Sequence, residues 1–284
     1  MRLTFTFFLA CSLGLFTGCA SLVDSASQRM ANNLSAAILN NNDPETIRAA
    51  TPAYLVLTDS LLEGDADDPR KLLTAAKLYG SYATTFVDDR PRAQRLAQKS
   101  LGYAQKALCL ELPSLCEIRT QHLEVLQPLL ADTGIKHHAT LYGFATAWAG
   151  WIQTHSGDWN AIAEIPRLNA LLEHCLLLDA SHDNGGAHLY LGVLNSQLPP
   201  AVGGKPEVGR THFEQAIAIS SGKNLMAKVL YAEHYARLVF DQALHDRLLQ
   251  EVIADEQEHD GLVLINALAR QRAATLLAES AKFF

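Results

Sequence analysis

The sequence predicts an all-α fold, an array of antiparallel helical hairpins like degenerate tetratricopeptide repeats, with about 11 to 13 helices. Three observations support this prediction. Apolar residues recur at intervals of three and four, as in Leu72, Ala75 and Ala76. No run alternates apolar and polar residues in the way that a half-buried strand requires. Residues 185–222 show two helical patterns joined by a glycine- and proline-rich loop, which is typical of a tetratricopeptide hairpin.

Composition limits the class of protein further. The chain has 284 residues, of which 49% are apolar and 19% charged, and its formal net charge is −7. That is enough apolar sequence to bury a sizeable core, so a disordered protein is excluded. Binding to phosphates needs grouped lysine and arginine residues, and this acidic chain has no such cluster. We therefore expect no nucleic acid among its partners.

Residues 1–18 are predicted to be a lipoprotein signal peptide. Arg2 precedes an apolar run over residues 3–16, which is shorter than the ~20 residues of a membrane-spanning helix. The segment Leu15-Phe16-Thr17-Gly18-Cys19 resembles the lipobox of bacterial lipoproteins, with Cys19 as the residue that receives the lipid. An ordinary signal peptide with an incidental cysteine is the alternative.

A mature chain that begins at Cys19 would be held on a membrane by its acyl chains, at ~0.8 kcal/mol per buried methylene. We expect residues 19–42 to form the lipidated N-terminus and a tether. No aspartate follows Cys19, so the expected location is the outer membrane, facing the periplasm.

The remaining residues, 43–284, are predicted to form a single α-helical repeat domain. Asp43-Pro44 and Asp68-Pro69 each place a capping residue before a proline, whose missing N–H costs nothing in the first helical turn. The apolar periodicity predicts helices over about 44–62, 70–86, 91–110, 115–131, 137–154, 166–179, 187–197, 206–220, 225–240, 243–255 and 262–280.

The hairpin at 185–222 has small residues where the repeat requires them. Leu191-Gly192 supplies the large-small pair of the first helix, and Gly209 with Phe213 supplies the small-aromatic pair of the second. Glycine at both positions lets two helix backbones approach closely while the phenylalanine fills the gap beside them. Weaker copies of the pattern occur at 104–112 and 171–180, at irregular spacing.

The cysteines leave one alternative open. Cys109 and Cys116 flank a predicted helix–helix turn at Pro113, so a disulfide and two separately buried thiols both fit the sequence. Cys175 lies in an apolar run and is expected to be buried. No cysteine or histidine spacing suggests a metal site, and we expect no cofactor.

One predicted helix is unusually aromatic. Phe144, Trp148 and Trp151 share one face of the helix over 137–154, and Tyr142 precedes them. These side chains are candidates for the lining of an apolar ligand pocket, although core packing explains the same pattern. Further candidates with the same alternative are Tyr79, Tyr82 and Tyr235. Because the sequence has no nucleophile elbow, phosphate loop or credible pair of carboxylates, we predict that the protein is not an enzyme.

Taken together, the chain resembles the T component of tripartite ATP-independent periplasmic (TRAP) transporters. The resemblance extends over nearly the whole mature chain and rests on Leu78-Tyr79-Gly80-Ser81-Tyr82, Ala147-Trp148-Ala149-Gly150-Trp151-Ile152, Gly203-Gly204-Lys205-Pro206-Glu207, His212-Phe213-Glu214-Gln215-Ala216, Tyr231-Ala232 and Tyr235-Ala236.

The resemblance implies an α-helical lipoprotein that docks a periplasmic solute-binding protein of a TRAP transporter and passes a small apolar or carboxylate-bearing ligand. The alternative is a tetratricopeptide scaffold lipoprotein for envelope or secretion-complex assembly, which would bind peptides. The sequence leaves both a monomer and a homo-oligomer open.

Overall fold

The computed structural model describes residues 33–284, and over that range it is helical with no strand. The all-α prediction is therefore confirmed. The predicted signal peptide, Cys19 and the first part of the predicted tether lie outside the described residues.

A helical segment over residues 33–39 precedes thirteen further α-helices in this part of the chain. They are α1 (Pro44–Gly64), α2 (Pro69–Thr85), α3 (Arg90–Glu111), α4 (Leu123–Ala131), α5 (His138–Thr154), α6 (Trp159–Ile162), α7 (Ile165–Asp179), α8 (His182–Asn195), α9 (Pro206–Ile219), α10 (Leu225–Leu230), α11 (Gln242–Ala254), α12 (Val263–Ala278) and α13 (Ser280–Phe283). The chain continues from α10 as a π-helical turn over Tyr231–Ala236.

The aspartate–proline helix starts are confirmed. The carboxylate of Asp43 accepts a hydrogen bond from the backbone N–H of Glu45, and that of Asp68 accepts from Arg70 and Lys71. Each such cap stabilises its helix by about 1 kcal/mol, because it satisfies an N–H that has no partner inside the helix.

The prediction of a helix over residues 115–131 is wrong in its first half. Residues Pro113–Leu115 form a 3-10 turn, and α4 begins only at Leu123. The intervening chain is held against α3 by a disulfide between Cys109 and Cys116, whose Cα atoms are 4.6 Å apart, and by a hydrogen bond from Gln105 to the carbonyl of Cys116.

The predicted close approach within the α8–α9 hairpin is present. A Cβ atom on Gly192 would lie 2.8 Å from the ring of Phe213, which is fully buried. The regular part of α8 begins after Gly185, because Asp183, Asn184 and Gly185 all have left-handed φ angles.

Two main hydrophobic cores hold the array together, and α8 contributes to both. The first core joins α3, α4, α5, α7 and α8 and includes the fully buried Phe144 and Trp148. The second joins α9 to α12 with the π-helical turn around Phe213, and Val193 of α8 packs against it. Burying side chains of this size contributes about 1.5–3 kcal/mol each. A smaller cluster around Tyr79 and Tyr82 packs α1 and α2 together.

Cys175 is a buried free thiol, and burial raises its pKa to about 12. Among the residues that the structure describes, no helix combines the length and the apolar character needed to cross a membrane.

Candidate functional site

A cavity of about 680 Å³ lies where helices of the two main cores meet. That volume falls in the range of small-molecule sites, about 300–1,000 Å³. Its lining comes from the end of α5, the loop after α8, the π-helical turn and the last helix, and comprises Gln153, Ser156, Ile162, Ser196, Gln197, Leu198, Glu233, His234, Arg237, Leu238, Phe240 and Phe283.

Two glycines shape the side of the cavity that follows α8. Gly203 has a φ of 94°, in the left-handed region that favours glycine. A Cβ atom on Gly204 would overlap the carbonyl of Leu198, so only glycine fits there. The turn is completed by a 2.9 Å hydrogen bond from the N–H of Lys205 to the carbonyl of Asn195. This turn keeps Leu198 beside the cavity.

The π-helical turn places different residues on two sides. Glu233, His234 and the following Arg237 face the cavity, whereas Tyr231 and Tyr235 line a second, smaller cavity of about 360 Å³. Charged groups in the smaller cavity are already paired, as in the 2.8 Å contact between Lys228 and Glu251. Single π-helical turns occur frequently at functional sites, because they change the direction of side chains within a helix.

Two arginines act on the carboxylate of Glu233 in the larger cavity, Arg272 through hydrogen bonds and Arg237 through its charge. Burial raises the pKa of Glu233, but two 2.7 Å hydrogen bonds from Arg272 outweigh it, so the net pKa is lowered and the carboxylate is neutralised by Arg272. Burial lowers the pKa of His234, which favours the neutral form of that ring. Among the described residues, no acceptor lies within reach of the buried Nε of Arg237.

Phe283 holds the Arg237 side chain in place. The Cζ atom of Arg237 lies 4.5 Å from the centroid of the Phe283 ring, at the distance of a cation–π contact. This contact orients the guanidinium without using any of its N–H donors.

Ser196 is a residue of the cavity lining whose hydroxyl is turned towards the neighbouring helix. Its side chain is 3% exposed, and no group in the described chain forms a hydrogen bond with its Oγ atom. A Cβ atom on Gly209 would lie 2.2 Å from that Oγ atom, so the hydroxyl packs against α9 and does not face the cavity. The volume of the cavity, with an arginine and apolar side chains in its lining, makes it the candidate ligand site.

Two phenylalanines form the exposed rim of the cavity. Phe240 is 72% exposed and Phe283 is 44% exposed, and their ring centroids are 6.1 Å apart. Phe240 also has a φ of 57°, a strained conformation for a residue with a large side chain. The rim is both apolar and open to solvent.

Comparison with protein families shows which family the chain belongs to. A family model described as TRAP transporter T-component matches residues 40–284, which is most of the chain. The chain belongs to the TRAP transporter T-component family. Membership gives it an accessory role in TRAP transport and an association with a TRAP transporter. A search of curated proteins finds no match.

The aromatic residues predicted to line a pocket occupy several separate places in this T-component. Phe144 and Trp148 lie in the first core with no exposed surface, and the indole N–H of Trp148 donates to Glu164 over 2.6 Å. Arg119 also binds Glu164, through two 2.8 Å hydrogen bonds. Trp151 is half-buried under the guanidinium of Arg119, 4.4 Å from its ring.

The four tyrosines that were predicted to line a pocket also lie in different parts of the structure. The hydroxyl of Tyr142 donates to Asp183 over 2.9 Å, and that of Tyr79 donates to Asp59 over 2.7 Å. Tyr82 packs in the same cluster as Tyr79, whereas Tyr235 lines the smaller cavity. None of the seven predicted aromatic residues lines the 680 Å³ cavity. Their role in ligand binding stays a prediction.

Sequence reasoning missed Arg237, Ser196, Phe240 and Phe283. The Gly-Gly turn after α8 is a sequence signal close to the cavity, but it indicates a family and not a pocket. An arginine within a predicted helix is typical of a solvated face, and the sequence alone does not show that this one lacks a partner.

Proposed function

We propose that this T-component is a lipid-anchored periplasmic accessory protein of a TRAP-type uptake system, which docks a solute-binding protein and passes a small ligand. The observation that carries the proposal is the family match over residues 40–284. The protein acts by binding rather than by catalysis.

The cavity and its rim support the ligand and docking parts of the proposal. A ligand handed between two proteins needs a site whose mouth lies in the interface, and the mouth of this cavity is bordered by Phe240 and Phe283. Exposed aromatic groups that become buried are frequent anchors of protein interfaces. We infer that the solute-binding protein covers this rim.

Copurification from periplasm tests the docking. The solute-binding protein of a TRAP system should copurify with the wild-type protein, and Phe240→Ser with Phe283→Ser should weaken binding at least about tenfold, because two buried phenyl groups are lost. Leu177→Ser is the matched control, since Leu177 is 83% exposed and lines neither cavity. Loss of binding in the control, or none in the double variant, would contradict the rim as the docking surface.

The same experiment separates the alternative scaffold function. A protein that captures components of a secretion or envelope complex, and no solute-binding protein, would favour the tetratricopeptide scaffold over solute uptake.

The anchor is tested independently of the partner. We expect mass spectrometry to find acyl chains on Cys19 and Cys19→Ser to leave the membrane fraction, whereas Cys11→Ser, within the predicted signal peptide, should remain there. An unmodified Cys19 would remove the lipid anchor from the proposal and leave the docking part standing.

A further inference from the structure

We propose that the outer face of α1 rests on the surface of the lipid bilayer that carries the anchor. The inference rests on the proposed lipid anchor at Cys19, and it adds the surface by which the folded domain meets the membrane. The outer face consists of six exposed residues of α1, namely Ala49, Ala53, Val56, Leu57, Ser60 and Leu61. Its composition, the charges beside it, its position in the chain and its area support the proposal.

The outer face lacks the charged residues that the exposed side of a surface helix normally carries. Val56 is 69% exposed, Leu57 is 48% exposed and Leu61 is 55% exposed, and the other three residues are alanine or serine. On the opposite side of the helix, Ile47 and Leu55 are buried in the core. Two sides of α1 are therefore apolar, and the described chain covers one of them. Exposed apolar patches of this kind mark sites of contact with a protein or a membrane.

Two charged side chains of α1 lie alongside the outer face and are engaged elsewhere. The carboxylate of Asp59 lies 2.6 Å from the Nζ atom of Lys99, which belongs to α3. The guanidinium of Arg48 lies 3.4 Å from the carboxylate of Asp88. Contact of the outer face with lipid would therefore bury no unpaired charge, which is the main cost of placing a side chain in a bilayer. Glu63 lies beyond the C-terminal end of the face, so we expect a shallow contact that leaves its carboxylate among the headgroups.

The position of α1 in the chain brings it close to the anchor. Cys19 precedes Asn33, the first described residue, by 14 positions, and a chain of that length spans at most about 50 Å. The helical segment over 33–39 leads into α1 through a short turn, and its Ile38 packs in the same cluster as Ile47 of α1. A tether this short gives α1 a high effective concentration at the bilayer, so a weak contact is enough to hold it there.

The area of the outer face favours a bilayer over a second copy of the protein. From Ala49 to Leu61 the helix rises about 18 Å, and a helix is about 10 Å wide, so the face covers roughly 200 Å². A stable dimer buries about 800 Å² on each partner, so this face alone is too small for one. Three large apolar side chains are too few to hold a free protein on a membrane, but they can orient a protein that a lipid already anchors.

Tryptophan fluorescence of the lipidated protein on vesicles tests the contact. Leu57→Trp places a reporter on the outer face, and Leu177→Trp is the control, because Leu177 is 83% exposed on α7. The vesicles contain phosphatidylethanolamine and phosphatidylglycerol, with plain or brominated acyl chains, and subtraction of the wild-type spectrum removes the native tryptophans. We expect the emission of Leu57→Trp to shift to shorter wavelength on vesicles and to lose intensity on brominated lipid, whereas Leu177→Trp should do neither.

Polar variants show whether the face itself makes the contact. Val56→Asp with Leu61→Asp, added to Leu57→Trp, should abolish the quenching, because two carboxylates would have to enter the lipid. Circular dichroism should show an unchanged fold, since all three positions are exposed. Equal intensity of Leu57→Trp on plain and brominated lipid, or equal quenching of Leu57→Trp and Leu177→Trp, would overturn the proposal. A wavelength shift of Leu57→Trp that is already complete without vesicles would assign the face to a protein contact and refute it as well.

The fate of the lipid anchor is separable from this result. If Cys19 carries no acyl chain, an N-terminal histidine tag on the mature chain and nickel-chelating lipids replace the anchor, and the same comparison of Leu57→Trp with Leu177→Trp applies. Quenching of Leu57→Trp in the tagged chain would then refute the anchor and support the outer face. An acylated Cys19 without quenching of Leu57→Trp would refute the outer face and leave the anchor standing.

Discussion

Replacing Gly192 with alanine tests the packing of the hairpin at the centre of the array. The new methyl group would lie 2.8 Å from two atoms of the Phe213 ring, and that ring is fully buried and stacked on Tyr231 with centroids 5.4 Å apart. Overpacking of this kind costs about 1–3 kcal/mol. Alanine also gains about 0.5–1 kcal/mol over glycine inside a helix. The net expectation is a loss of about 1–2 kcal/mol of the free energy of unfolding.

Urea denaturation followed by circular dichroism measures this change, and Gly102→Ala is the matched control. Gly102 lies inside α3 with nothing within 4 Å of the position of its missing Cβ, so alanine there should stabilise the protein by about 0.5–1 kcal/mol. The difference between the two variants isolates the steric cost. The melting temperature of Gly192→Ala should fall by about 2–8 °C. If both variants are equally stable, the close approach of α8 and α9 is not what requires glycine at this position.

Three further predictions concern other parts of the fold. Replacing both Cys109 and Cys116 with serine should lower the free energy of unfolding by about 2.5 kcal/mol in the chain-entropy model, measured by urea denaturation against the oxidised wild type; no change would mean that the bridge adds nothing. The Nδ1 atoms of His188 and His212 are 2.9 Å apart, and burial lowers the pKa of both rings, that of His212 to about 4. Because the unfolded rings bind protons first, stability should fall as the pH drops from about 6.5 to about 4, and His212→Gln should flatten that dependence in denaturation curves; an unchanged curve would refute it. Trp148→Ala should lower the free energy of unfolding by about 3–5 kcal/mol, because it empties a fully buried site. A stable variant that instead loses a bound ligand would support the prediction that Trp148 lines a pocket.

Most of the fold could be predicted because the helices carry their own local signals. Apolar residues at intervals of three and four, aspartate–proline starts and the small residues of the α8–α9 hairpin each act within one helix or one turn. The prediction failed in the first half of the helix over 115–131, where a disulfide and contacts with α3 override local helical preference. It also missed α6, whose four residues are too few to show a period.

The cavity could not be predicted, for a different physical reason. Periodicity shows which face of a helix is buried, but not whether protein atoms or empty space lie against that face. Trp148 and Arg237 illustrate the difference: the tryptophan fits its helical pattern and fills the first core, whereas the arginine faces a cavity because a π-helical turn precedes it. The environment of Arg237 depends on Phe283 of the last helix and on the engagement of Glu233 by Arg272, and both contacts form only when distant helices pack. A cavity between distant helices is a property of the assembled array, so it can be found only once the neighbours of each residue are known.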